Sequence, residues 1–121
     1  MKSKIVQKKI ILRGMSANKG VITGKARIVS DILDDELMAK ELYRVKKGEI
    51  LVAEMTRPLF VICMRKIAAI ITDRGGILCH AAMVSREFNI PCIVGTGNAT
   101  KVLKNGQEIL ADANKGIIYD A

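Results

Sequence analysis

The stretch TDRGGILCHAAMVSREFNIPCIVG, residues 72–95, decides how this chain is read. An apolar run ends at Thr72, a glycine pair follows at Gly75 and Gly76, and a helix-forming segment opens near Cys79 and His80. His80 is the only histidine in 121 residues. Free backbone N–H groups at a helix start attract anions, and the macrodipole adds about 0.3–1 kcal/mol of preference for negative charge. Glycines let a phosphate come close to the backbone, and Thr72 at the strand end has a hydroxyl that can orient an imidazole nitrogen. With an ordinary pKa of about 6.5, much of a histidine is neutral and nucleophilic at pH 7. The stretch therefore has the parts for covalent phosphoryl transfer, with His80 as the nucleophile. Against this, a lone histidine is more often a capping or half-buried residue, and a glycine pair before a helix is common.

Outward from this stretch, strands and helices alternate. Upstream, residues 67–72 (IAAIIT) form a continuous apolar run, as expected of a strand covered on both faces. Before it, residues 49–53 (EILVA) read as a strand and residues 58–66 as a helix opened by Pro58. Residues 34–45 (DDELMAKELYRV) carry acids first and bases later, which suits the helix dipole. At the N-terminal end, residues 8–13 and 21–30 read as strands, with residues 15–20 (MSANKG) as a turn between them. Within the decisive stretch, residues 73–76 form a loop, residues 78–88 a helix, and residues 92–94 a strand. Downstream, residues 98–103 form a short helix, and residues 108–111 and 117–119 pair as a hairpin. The class is α/β, in one domain spanning residues 1–121, with no internal repeat or linker.

Composition narrows the function. Half the residues are hydrophobic but only two Tyr and two Phe are aromatic, so the core is aliphatic. No run approaches the roughly 18–20 apolar residues that span a bilayer, and the N-terminus lacks a signal-peptide cleavage site. Three cysteines, Cys63, Cys79 and Cys92, form no CxxC pair, and one histidine cannot complete a usual zinc site. Free thiols in a reducing cytoplasm account for them, with Cys63 and Cys92 in the core. The net charge of +8 is confined to residues 1–30, where six Lys and two Arg stand with no acid. Such a segment is either a charged edge protected against aggregation or an arm for an acidic partner.

The central stretch resembles the signature of the phosphohistidine (swivelling, or mobile) domain of phosphoenolpyruvate-utilising enzymes, among them phosphoenolpyruvate synthase and pyruvate phosphate dikinase. The matching positions are Thr72, Gly75, Gly76, Cys79, His80, Ala81, Ala82, Arg86, Glu87, Ile90, Pro91, Val94 and Gly95. The likeness extends to the segment Gly48–Ala53, to Thr56-x-Pro58, and to glycines near both ends, so it covers nearly the whole chain. It implies a swivelling β/β/α fold in which His80 accepts a phosphoryl group at one station and donates it at another. Thr72 would orient His80, Gly75 and Gly76 would clear the phosphate's approach, and Cys79 and Arg86 would support the site. Leu59 stands where the family often has an acid, and Met83 where it usually has a β-branched residue.

The family's enzymes flank this domain with an ATP-grasp domain and a barrel that binds pyruvate or phosphoenolpyruvate. This chain has no Walker-type loop and no carboxylate cluster for Mg²⁺. ATP and Mg²⁺ are therefore expected on a partner, with none bound here, and pyruvate is the default acceptor; an antibiotic is the other acceptor that a similar architecture allows. The chain is either a carrier serving separate catalytic partners, as Met1 suggests, or a piece of a larger enzyme. The competing reading is a non-catalytic module using its basic N-terminus on RNA or an acidic protein, although so few aromatics leave little for base stacking.

Overall fold

Gly14 separates two strands that lie at opposite ends of the sheet. The computed structural model describes residues 8–121. Strand β1 (Ile10–Arg13) pairs antiparallel with β8 (Ile117–Asp120), whereas β2 (Met15–Asn18) pairs antiparallel with β6 (Cys92–Val94). Between these ends run β7 (Glu108–Asp112), β3 (Val21–Val29), β4 (Ile50–Ala53) and β5 (Ala69–Thr72), giving the order β1-β8-β7-β3-β4-β5-β6-β2. Because one residue joins the two outermost strands, the sheet curls until its ends meet. Gly14 donates its N–H to the Gly116 carbonyl at 2.8 Å, and a Cβ there would lie 2.7 Å from the Val94 carbonyl oxygen. Only glycine fits this seam.

Strands β3 to β6 are parallel, and every residue of β4, β5 and β6 is buried. Alternation along them divides the core in two. Ile50, Val52, Ala69, Ile71 and Ile93 pack with Leu12, Ala26, Ile109, Ala111 and Ile118 between the curled faces of the sheet. Leu51, Ala53, Ile70, Cys92 and Val94 pack beneath the helices, with Met38, Leu42, Phe60, Met64, Ala81 and Ala82. The chain is thus a mixed α/β domain with β/β/α layering.

The helices are α1 (Asp35–Tyr43), a 3-10 turn (Pro58–Phe60) running into α2 (Val61–Met64), α3 (His80–Phe88) and α4 (Ala99–Val102). Asp34 caps α1 by accepting from the N–H groups of Glu36 at 2.9 Å and Leu37 at 3.2 Å. Helix α3 ends at Asn89 in the left-handed region, φ 55°. Asn18 Nδ2 anchors that end by donating to the carbonyls of Ile90 at 2.9 Å and Ser85 at 3.3 Å.

One expected element is corrected. Residues 15–20 are not simply a turn, because Met15, Ser16 and Asn18 pair with Val94, Ile93 and Cys92 in β2. Pairing overrides the weak strand propensity of MSAN, and only Lys19 and Gly20 are left to turn. The helix expected over residues 58–66 ends at Met64 after its 3-10 start, and the one expected from residue 78 begins at His80. Cys63 and Cys92 are buried free thiols, and Cys79 is free and partly exposed. No helix among the described residues is long and apolar enough to cross a membrane. Lys2 and Lys4 of the basic segment lie outside the described residues.

Candidate active site

The parallel register of β4 and β5 sets Ala53 beside Thr72, so the loops following both strands leave from the same edge of the sheet. In open α/β sheets the carboxyl ends of parallel strands are where ligands bind. The first loop carries Thr56, the second carries Gly75 and Gly76 and leads into His80, the opening residue of α3. Cys79 is the N-cap, but its side chain makes no capping bond.

Thr56 is the residue that meets His80. Its Oγ1 lies 2.8 Å from the imidazole Nδ1, and the threonine is only 3% exposed. This contact couples to the tautomer. With the proton on Nδ1, that nitrogen donates to the threonine oxygen and Nε2 keeps its lone pair. With the proton on Nε2, the hydroxyl donates to Nδ1 and Nε2 has no free pair. Only the first arrangement leaves the unengaged ring nitrogen nucleophilic.

Thr72, expected to orient the ring, does not reach it. Its hydroxyl donates to the Arg74 carbonyl two residues on, at 2.6 Å. Its own carbonyl accepts from the N–H of Thr96 at 3.1 Å and from the Thr96 hydroxyl at 3.0 Å, tying the end of β5 to the loop after β6. The residue is fully buried and acts as a strand-end clamp.

The glycines differ from one another. Gly75 has φ 110°, and a Cβ on it would come within 2.8 Å of Cys79 Sγ and Met55 Cε, so the space it frees is taken by those side chains. At Gly76 a Cβ would meet nothing within 4 Å, leaving that face of the loop open, while its carbonyl accepts from the Cys79 N–H at 3.1 Å. Arg86 braces the loop from behind. Its Nη2 donates to the Ile77 carbonyl at 2.7 Å and its Nε to the Ala17 carbonyl on β2 at 3.2 Å. A groove of about 250 Å³ beside the imidazole is lined by Pro58, Val61, Met64, Val84, Glu87 and Phe88. Among the described residues, no three His, Cys, Asp or Glu side chains come together as a metal site.

Two contributors went unread in the sequence. Thr56 was visible only as part of a T-x-P turn, since nothing local says that its hydroxyl faces a helix 24 residues on. Asp73, nearly buried, accepts from the N–H of Thr100 at 2.9 Å and its hydroxyl at 2.5 Å, holding the start of α4 against the end of β5.

Residues 45–116, which include Thr56, the glycine loop, His80 and Arg86, match the family described as "PEP-utilising enzyme, mobile domain". The chain belongs to that family. Among curated sequences, this mobile domain is 42% identical over 118 residues to a probable phosphoenolpyruvate synthase of Methanothermobacter thermautotrophicus, across 98% of this chain and 16% of that relative. It is 43% identical over 115 residues to the phosphoenolpyruvate synthase of Pyrococcus furiosus, across 95% of this chain and 13% of that one. The chain therefore spans only a small part of the relatives that it matches. Among solved structures, the solution structure of an Enzyme I protein matches with TM-score 0.55 and 28% identity, over 64% of this chain and 32% of that chain. The N-terminal domain of a nitrogen Enzyme 1 matches with TM-score 0.67 over 91% of this chain and 94% of its own, a likeness of fold at 11% identity.

Proposed function

We propose that this mobile domain is the phosphohistidine carrier of a phosphoenolpyruvate synthase-like phosphotransferase, with His80 Nε2 as the atom that carries the phosphoryl group. The observation that supports this best is the 2.8 Å contact between Thr56 Oγ1 and Nδ1. It commits Nδ1 and leaves Nε2 as the remaining nitrogen of a partly exposed ring.

In the loading step the Nε2 lone pair attacks the phosphorus of a donor. An N–P bond forms, the P–O bond to the leaving group breaks, and the leaving oxygen takes the electron pair. The Nδ1 proton stays on the ring, and Thr56 accepts its hydrogen bond throughout, so the imidazolium-like charge that develops has a fixed partner. In the unloading step an acceptor oxygen attacks phosphorus and the N–P electrons return to Nε2. The start of α3 favours the negative charge carried between these steps. ATP with Mg²⁺ is the donor on a partner domain or protein, and pyruvate is the acceptor on another. The small share of each relative that this chain spans fits such a division.

The test is to incubate the chain with the ATP-grasp domain of a phosphoenolpyruvate synthase, ATP and Mg²⁺. An acid-labile, alkali-stable phosphoryl adduct is expected, and it disappears in His80→Ala. Labelling that persists in the variant removes His80 from the reaction.

A further inference from the structure

We infer that Arg57 is a positioning residue for the phosphohistidine site: it holds the loop that presents Thr56 to His80 by latching it onto the start of α1. The inference rests on the role given above to the Thr56–His80 contact.

Thr56 sits in an irregular segment, residues 54–57, between β4 and the 3-10 turn. Outside the strand ladders, the backbone bonds of this segment are the Arg74 N–H to the Glu54 carbonyl at 3.1 Å and the Phe60 N–H to the Arg57 carbonyl at 2.8 Å. Among the described residues, Met55 and Thr56 take part in no such bond. Side chains therefore have to set where the Thr56 hydroxyl lies. On one flank Glu54 pairs with Arg74 at 3.1 Å, but both are largely solvated, and such pairs contribute little order.

The other flank is tied at more points: Asp31 and Asp35 are themselves 46% and 75% exposed, but the Arg57 side chain is 34% exposed and one of its bonds goes to a part-buried backbone carbonyl. Arg57 donates from Nη1 to Asp35 Oδ1 at 3.1 Å, from Nη2 to the Ile32 carbonyl at 3.0 Å, and from Nε to Asp31 Oδ1 at 3.4 Å. One planar guanidinium thus spans three acceptors on a segment 22 to 26 residues away in sequence. That segment is a firm anchor. Asp34 caps α1 directly beside it, and Met38 and Leu42 of α1 are fully buried against Phe60, Cys63 and Met64. Arg57 also sets a positive charge between the carboxylates of Asp31 and Asp35. A lysine offers one ammonium and cannot reproduce the three-way fork.

Because His80 is the only histidine, [15N]-histidine labelling gives one imidazole whose two nitrogen shifts report the tautomer directly. The wild-type chain, above the imidazole pKa, should show the proton on Nδ1. Arg57→Ala should move the shifts towards the averaged values of a free imidazole and slow phosphorylation by phosphoramidate, a small donor that needs no partner, by about 2- to 30-fold. Arg57→Lys should restore only part of both. Asp31→Ala/Asp35→Ala, which removes two of the three acceptors at the far end while leaving the loop's sequence intact, should move the shifts in the same direction by a smaller amount. A wild-type tautomer in Arg57→Ala overturns the latch, even if its melting temperature falls. If the wild-type ring already shows a free-imidazole mixture, the Thr56 contact itself fails, and the inference falls with it. Wild-type tautomer bias with no phosphoramidate labelling would instead refute the carrier reading and leave the latch standing.

Discussion

Thr56→Val is the most informative single change. Valine matches threonine in shape, and the site is only 3% exposed, so packing is kept while the hydroxyl that meets Nδ1 at 2.8 Å is lost. The Nδ1–H tautomer then loses its partner. Leaving a buried donor unsatisfied costs about 1–3 kcal/mol, a factor of roughly 5 to 160. The ring is half-buried rather than enclosed, so water recovers part of this. A loss of about tenfold in the rate of phosphoryl acquisition follows, with a melting temperature within a few degrees of wild type. The assay is rapid-quench labelling with phosphoramidate, followed by alkaline separation of phosphohistidine. Thr56→Ser should retain most of the rate, since it keeps the oxygen. Thr72→Val is the control: it loses the hydroxyl bond to the Arg74 carbonyl and should cost stability while leaving the tautomer unchanged. A Thr56→Val chain that labels at the wild-type rate, with Thr72→Val slowed, would refute the assignment and return the orienting role to Thr72.

Other consequences are open to direct measurement. Gly75→Ala combines an unfavourable φ of 110° with a clash against Cys79 Sγ and Met55 Cε, and should lower stability by about 1–3 kcal/mol in urea titrations. Asn18→Ala removes both donors to the end of α3 and should cost about 1–3 kcal/mol, with hydrogen exchange accelerating first at Ile90. Burial pushes the Cys63 thiol up from 9.0 to about 11 and Cys92 to about 12. At pH 8 Cys63 should therefore react with a disulfide reagent roughly 100-fold more slowly than an ordinary thiol, and Cys92 more slowly still, with partly exposed Cys79 first. The same shifts carry a sign for stability. Folded-state pKa values above the unfolded one give a contribution that is complete below pH 9.0 and lost as pH rises through about 11 and about 12, so the melting temperature should fall over that alkaline window.

The alternating core strands and the helix opening at His80 could be read locally, because burial on both faces writes continuous apolar runs and a glycine pair marks the turn. Met15, Ser16 and Asn18 could not. They read as turn material, and only the distant partners Val94, Ile93 and Cys92 make β2 a strand and close the sheet on itself. The site divided in the same way. His80 stood out by its uniqueness and its place at a helix start. The choice between Thr72 and Thr56 depended on which hydroxyl was already engaged, and the carbonyl of Arg74 claims that of Thr72. Arg57 stood only as the middle residue of Thr56-x-Pro58, since its three acceptors lie in another part of the chain.

The central claim is that the phosphoryl group rides on Nε2 of His80. Loading [15N]-histidine-labelled chain from ATP through an ATP-grasp partner and recording 31P–15N correlation spectra tests it most directly, because a single histidine leaves one assignment to make. One phosphorus signal coupled to Nε2, with Nδ1 still protonated, is the expected result. Coupling to Nδ1, or a phosphorus signal coupled to no imidazole nitrogen, would contradict it.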